Sequence, residues 1–281
     1  MTQINPLKQF FRQPAIYLRL PSNGEFWAAG SLNLPANNEL PVLPMTAIDE
    51  INYRTPDALF NGSAVINVIQ SCMPSIVNAW ETPATDIDSI LVAIRIASYG
   101  HVFDVASTCP ACKNQADYSF DLRKVIDGLT ASNYTTEPLI YGDLALLLRP
   151  MNYKSMTNIN NMSFEHQKSM QALNENTTMP EQEKLKAMGE AMRKIADISI
   201  LALGSSIASI RTPTAVVTES AFINELLTNC DRQLFTLIQD RAVALRATSS
   251  LKPLEVKCTA CSHEYKQAFT LDLANFFVNA S

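Results

Sequence analysis

Val102-Phe-Asp-Val-Ala-Ser-Thr-Cys-Pro-Ala-Cys112 and Leu254-Glu-Val-Lys-Cys-Thr-Ala-Cys261 are the two stretches from which the rest of the chain is read. Each runs a β-like segment into a Cys-x-Ala-Cys turn and leaves it through a polar stretch and a second β-like segment. The exits are Ala116 to Leu122 in the first copy and Tyr265 to Leu273 in the second, with Ser119-Phe-Asp-Leu122 resembling Thr270-Leu-Asp-Leu273. The chain therefore carries one knuckle unit twice. A structural zinc takes four ligands in a tetrahedron, and two thiolates three residues apart on a tight turn supply two of them. Cys109, Cys112, Cys258 and Cys261 complete such a site without any other residue. The fold class this predicts is α+β: a zinc-ribbon-like, two-knuckle β base interrupted by a large inserted helical subdomain.

The separation of the pairs is far wider than the roughly 15–20 residues of the usual zinc pattern. Loop-closure entropy grows only logarithmically with length, and an insertion that folds by itself lowers the cost further, so one shared metal is compatible with it. Two alternatives stand beside zinc: a redox dithiol and metal-free reduced thiols. A thioredoxin-like centre follows a βαβ pattern with its first cysteine at a helix start, whereas both pairs here lie between β-like stretches. Cys72 and Cys230 stand alone in apolar helical contexts and read as small buried hydrophobes. Of the histidines, His263 lies close enough behind Cys261 to sit outside the ligand shell, His101 follows a helix end, and His166 reads as a solvated residue among Asn, Ser and Gln.

Working outward, Ala15 to Leu20 and Glu25 to Trp27 read as a small hairpin about Pro21-Ser-Asn-Gly24. Thr46 begins a short helix, Thr55-Pro56 offers a second helix start, and Asn61 to Met73 reads as a buried helix stopped by Pro74. A further helix has Asp86 as its cap, Ile87, Ile90, Leu91 and Ile94 on one face, and Gly100 as its left-handed end. Leu144 to Leu148 is a strand. Helical patterns then dominate at 153–175, 181–210 and 219–247. The predicted organisation is an N-terminal α+β part at 1–150 with the first knuckle, a helical insertion at 151–250, and a C-terminal segment at 251–281 completing the base.

A net charge of -5 and the lack of a basic run argue against nucleic acid as a partner. No apolar stretch reaches the roughly 20 residues of a membrane span, and Met1 to Arg12 lacks the core of a signal peptide, which points to a cytosol. With only eight glycines there is neither a phosphate loop nor a Ser elbow, and no His-Glu-x-x-His pair occurs. Asp86/Asp88 and Asp49/Glu50 read as helix-start and surface charges rather than an acid/base couple. Nothing here reads as an enzyme. Met151, Met156, Met162, Met170, Met179, Met188 and Met192 concentrate in the first half of the insertion, where flexible thioethers fill cores or form adaptable binding faces.

Several stretches resemble the baseplate hub assembly family of T-even-type contractile-tailed bacteriophages. They are Asn5 to Phe10, Pro14 to Tyr17, Pro44 to Asp49, Arg54 to Gly62, Ile94 to His101 and the first knuckle. The resemblance implies a non-enzymatic, chaperone-like assembly factor that meets phage baseplate hub proteins in the host cytoplasm. A stable structural subunit of the baseplate is the alternative, and a Cys-x-x-Cys thiol redox enzyme a more distant third.

Overall fold

The computed structural model describes residues 5–55, 60–129, 134, 137–175, 179–269, 271 and 276–277. The strands are β1 (Ile16–Leu18), β2 (Leu40–Val42), β3 (Val102–Thr108), β4 (Gln115–Asp121), β5 (Leu139–Tyr141), β6 (Leu144–Leu148), β7 (Ile207–Arg211), β8 (Val216–Val217), β9 (Leu254–Lys257) and β10 (Glu264–Gln267). The helices are α1 (Ala47–Tyr53), α2 (Ser63–Cys72), α3 (Ala84–Tyr99), α4 (Leu122–Asp127), α5 (Tyr153–Glu175), α6 (Glu181–Ser205), α7 (Ser220–Asn229) and α8 (Arg232–Ser249). This is an α+β protein with small antiparallel sheets, divided into two compact units. The first takes residues 1–79, 86–131 and 250–281, the second 80–85 and 132–249. The expected helix start at Thr55-Pro56 and the end of the second knuckle unit, at Thr270, Asp272 and Leu273, lie wholly or partly outside the described residues.

In the first unit, Thr46 and Asp49 form a reciprocal capping box that starts α1. Arg12 donates to Asp49, to the Pro44 carbonyl and to the Ser71 carbonyl and hydroxyl, joining the N-terminal segment to the ends of α1 and α2. Helix α2 buries Ala64, Val65, Ile66, Val68, Ile69 and Cys72. Helix α3 differs from the one-faced helix its apolar spacing predicts, because every residue from Ser89 to Ile96 is buried. That is the signature of a central helix rather than a surface one. Even Arg95 is buried, its guanidinium over the rings of Tyr99, Phe103 and Phe276 at 5.0–5.6 Å. Gly100, at φ 89°, supplies the left-handed residue that ends the helix.

Two expectations fail here for one reason. β1 pairs with β2, Ile16 opposite Val42, and not with residues 25–27, which continue a run of turns with Asn23 and Phe26 at positive φ. Asp86 neither caps α3, which starts at Ala84, nor lies on the surface, since it is fully buried. Its carboxylate accepts from Ser22 N at 2.9 Å, Ser22 Oγ at 2.5 Å and Trp27 Nε1 at 2.8 Å. Donors near the two ends of the Pro21–Trp27 stretch, Ser22 and Trp27, turn inward to satisfy this group, which a returning strand would not allow.

The second unit is built on a four-stranded antiparallel sheet in the order β5-β6-β7-β8. Residues 132–150 belong to it, contrary to the expected boundary at 150, because β6 hydrogen-bonds to β7, with Leu146 opposite Ile210. β7 itself lies where the helical pattern was extended to residue 210. Helix α6 stops at Ser205, just after Gly204, which lies against the Asn224 side chain of α7 so closely that a Cβ there would have to displace that amide. Ile207 and Ile210 are then buried in the sheet, where β-branched side chains pack well. The pattern over 219–247 also divides: Cys230 is extended, and Asp231 accepts from Leu234 N at 2.8 Å to cap α8. Residues 80–85 join this unit through Ala84 N to Met151 O, Tyr153 N to Thr82 O and Asn152 Nδ2 to Glu81 Oε2. Among the described residues no helix is long and apolar enough to cross a membrane.

Burial raises the Asp86 carboxyl above its ordinary value of 3.8, against the lowering effect of its Ser22 and Trp27 hydrogen bonds. The folded chain therefore protonates before the unfolded one as pH falls. This contribution to stability is complete below the unfolded value and lost as pH rises through the folded one. In urea unfolding, the wild type should gain stability relative to Asp86→Asn as pH is lowered from about 7 toward 4. A pH-independent difference, or the opposite trend, contradicts the assignment.

Candidate metal centre

The first unit places each cysteine pair at the tip of a hairpin. β3 pairs with β4 from Val102↔Asp121 to Thr108↔Gln115, and β9 pairs with β10 from Leu254↔Gln267 to Lys257↔Glu264. The two tips share one backbone design. Cys109 N donates to Asn114 O and Cys258 N to His263 O, both at 2.9 Å. Lys113 N returns to Cys109 O at 3.0 Å and Ser262 N to Cys258 O at 2.9 Å. The residue after the second cysteine is left-handed in both, Lys113 at φ 63° and Ser262 at φ 58°. Such a residue costs on the order of 1 kcal/mol when it is not glycine. Its occurrence at the same place in both tips marks a turn shaped around its cysteines.

All four sulfurs lie within 4.8 Å of one another. The close pairs run between the hairpins: Cys109 Sγ to Cys261 Sγ is 3.8 Å and Cys112 Sγ to Cys258 Sγ is 3.6 Å. A disulfide would require about 2.05 Å. A tetrahedral metal with thiolate bonds of about 2.3 Å has sulfur–sulfur edges of about 3.8 Å. The cluster matches the second geometry, and the four cysteines can hold a metal ion. Cys109 and Cys258 are buried, whereas Cys112 and Cys261 are exposed, so the cluster reaches from the core of the base to its surface.

The four thiols do not ionise alike. The backbone N–H groups of Cys261 and Ala260, against the raising effect of desolvation, hold the Cys258 thiol down to about 6. The His263 N–H favours the Cys261 thiolate too, but the crowding sulfurs of Cys112, Cys258 and Cys109 push that thiol up to about 12. One thiolate is favoured and the next is resisted by its neighbours. A bound dication removes that repulsion.

Among the described residues, the cluster of metal-competent side chains is these four cysteines, with no histidine in it. His263 contributes its carbonyl to the second tip, and its ring stacks on Tyr265 at 6.2 Å. His101 is exposed and lends its carbonyl to Leu122 N. His166, expected in solvent, is buried in α5 with no hydrogen-bond partner for Nε2 among the described residues. Cys72 is fully buried, its thiol pushed up to about 12 chiefly by desolvation. Cys230 is only half-buried, because it sits at the break between α7 and α8.

What the spacing of cysteines did not reveal is how the hairpins are locked. Phe103, Val105, Ser107 and Cys109 share the inward face of β3, alternating with exposed residues. Ser107 Oγ lies 2.9 Å from Tyr265 Oη and donates to Gln267 Oε1 at 2.7 Å. With its one proton given to Gln267, Ser107 must accept from Tyr265. Phe103 meets Phe269 at 6.0 Å and Phe276 at 5.5 Å, anchoring the C-terminal segment. Only the period of two in β3 could have signalled Ser107. Ser107→Ala orphans two polar partners, and urea unfolding should show a loss of about 1–3 kcal/mol. An unchanged stability would mean that the hairpins are held without this contact.

The profile of the T4 bacteriophage base plate protein family matches residues 45–278, a span that includes both knuckles and all of the second unit. Neither a curated protein nor a solved structure gives a match. With most of its length covered by that one profile, both hairpin tips included, this chain belongs to the T4 bacteriophage base plate protein family.

Proposed function

We propose that the four cysteines bind one structural zinc ion in a zinc-ribbon-like base, and that the chain is a non-enzymatic, chaperone-like assembly factor for the baseplate hub, working in the host cytoplasm. The observation that carries this reading is the family match across both knuckles and the intervening helices, which ties metal-competent base and helical unit to one baseplate role. Zinc is the metal of choice because four thiolates at tetrahedral edges form a closed site, with no ligand position left for a substrate. By clamping residue 112 to residue 258, the ion fixes the chain segments from which residues 132–249 depart and return. The helical unit then offers its surface to hub proteins.

Elemental analysis of protein purified under reducing, zinc-replete conditions should give one zinc per chain. The pair Cys258→Ser and Cys261→Ser should abolish it and lower the melting temperature, while His263→Ala keeps it. Zinc retained without the second knuckle would mean that the pairs do not share a metal. For the role itself, hub proteins should co-purify with the chain from infected cells, and purified virions should contain it at far below baseplate stoichiometry. Stoichiometric copies in virions would instead establish a structural subunit.

A further inference from the structure

Helix α6 carries Leu185, Met188, Met192, Ile195, Ser199 and Ala202 at alternating spacings of three and four, the seam of a coiled coil. This seam is not covered in the structure: Leu185 is 64% exposed, Met192 58% and Ile195 43%. Beside it, Gly189 has nothing within 4 Å of where a Cβ would stand, leaving room for another backbone. At the C-terminal end of the helix the seam runs into a groove of about 310 Å³, where Ser199 and Ala202 join Met151, Phe235 and Val243 among the lining residues. The charged side chains of that groove are Arg149 and Arg246, and it contains no carboxylate. Neither arginine forms an ion pair among the described residues, in a chain whose net charge is -5.

We propose that this seam and groove are the docking site for one amphipathic helix of a partner protein, whose acidic end residues meet Arg149 and Arg246. The inference rests on the hub-binding role proposed above and names the surface and the chemistry that role would use. From Leu185 to Ala202 the seam is about 26 Å long, which calls for a partner helix of about five turns. Its apolar residues at three and four spacing pack against Leu185, Met188, Met192 and Ile195. The thioethers accommodate imperfect shapes, and the two guanidiniums fix polarity and register through bidentate carboxylate contacts. A second copy of this chain fits less well, because α6 opens with Glu181 and Glu183 but Lys184 and Lys186 follow them at once, so no purely acidic end is presented.

The test uses the full chain and synthetic 20-residue peptides covering the helical segments of the phage's hub proteins, read by fluorescence anisotropy. At least one peptide with an apolar seam and an acidic end should bind. Its Kd should rise tenfold or more for Leu185→Glu with Met192→Glu, and likewise for Arg149→Glu with Arg246→Glu, all exposed positions whose folding circular dichroism can check. Replacing the peptide's acidic residues by amides should weaken wild-type binding and erase the effect of the arginine reversal. Peptide binding unaffected by both variant pairs overturns the proposal. So does intact hub-protein binding with no peptide bound, an outcome that leaves the hub-binding role standing. A wild-type dimer dissociated by Leu185→Glu with Met192→Glu would assign the seam to a second copy. Failure of the wild type to bind any intact hub protein removes the role and the docking site together.

Discussion

The contact between the β3–β4 and β9–β10 hairpins is the constraint on which the first unit depends. It joins residues 146 positions apart in the chain, and by loop-closure entropy this costs about 2 kcal/mol more than the usual spacing of roughly 15–20 residues. Against it stand the Ser107 bonds to Tyr265 and Gln267, the packing of Phe103 on Phe269 and Phe276, and four sulfurs at tetrahedral distances. The polar and aromatic contacts involve β3 and the sulfurs lie at the tips, so the two hairpins are tied together at more than one level. A metal at the tips therefore adds to an interface that the strands already define.

Two buried charges show how the same unit is made specific. Asp86 and Arg95 occupy one helix, α3, about two turns of which, Ser89 to Ile96, are buried on all sides. They do not pair with each other. Asp86 gathers donors from the Pro21–Trp27 loop, while Arg95 lies among Tyr99, Phe103 and Phe276. Each charge thus recruits a different distant segment to α3, one N-terminal and one C-terminal. Burying either without its partners would cost several kcal/mol, so both fix which segments reach the core.

The second unit follows a different logic. Its sheet alternates with helices along the chain, and Gly204 lets α6 and α7 approach closely before the chain turns into β7. With one face of α6 committed to that packing, the face carrying Leu185, Met192 and Ile195 is left exposed. The methionines that drew attention in the sequence divide accordingly, Met192 exposed and the other six half-buried. Core filling and surface presentation are here two ends of one gradient along the helices.

By itself the sequence determined the pieces whose causes are local. The two Cys-x-Ala-Cys tips, the capping box at Thr46, the left-handed Gly100, the strand at Leu144 to Leu148 and helix α5 all follow from residues within a few positions of one another. The four cysteines were legible as a set because their flanks repeat. Only the tertiary structure decided what depended on distant partners. Residues 207–211 are helical by pattern but become a strand once β6 offers its edge, and that pairing moves the domain boundary from 150 to about 132. The return strand at Glu25 to Trp27 gives way to a buried carboxylate 59 residues from Trp27, and His166 is drawn inside by helix packing. A window of sequence contains the propensity of a segment but not the donor, edge or sulfur that will face it. Where those two disagreed in this protein, the buried partner won, because leaving it unsatisfied costs more than the local preference is worth.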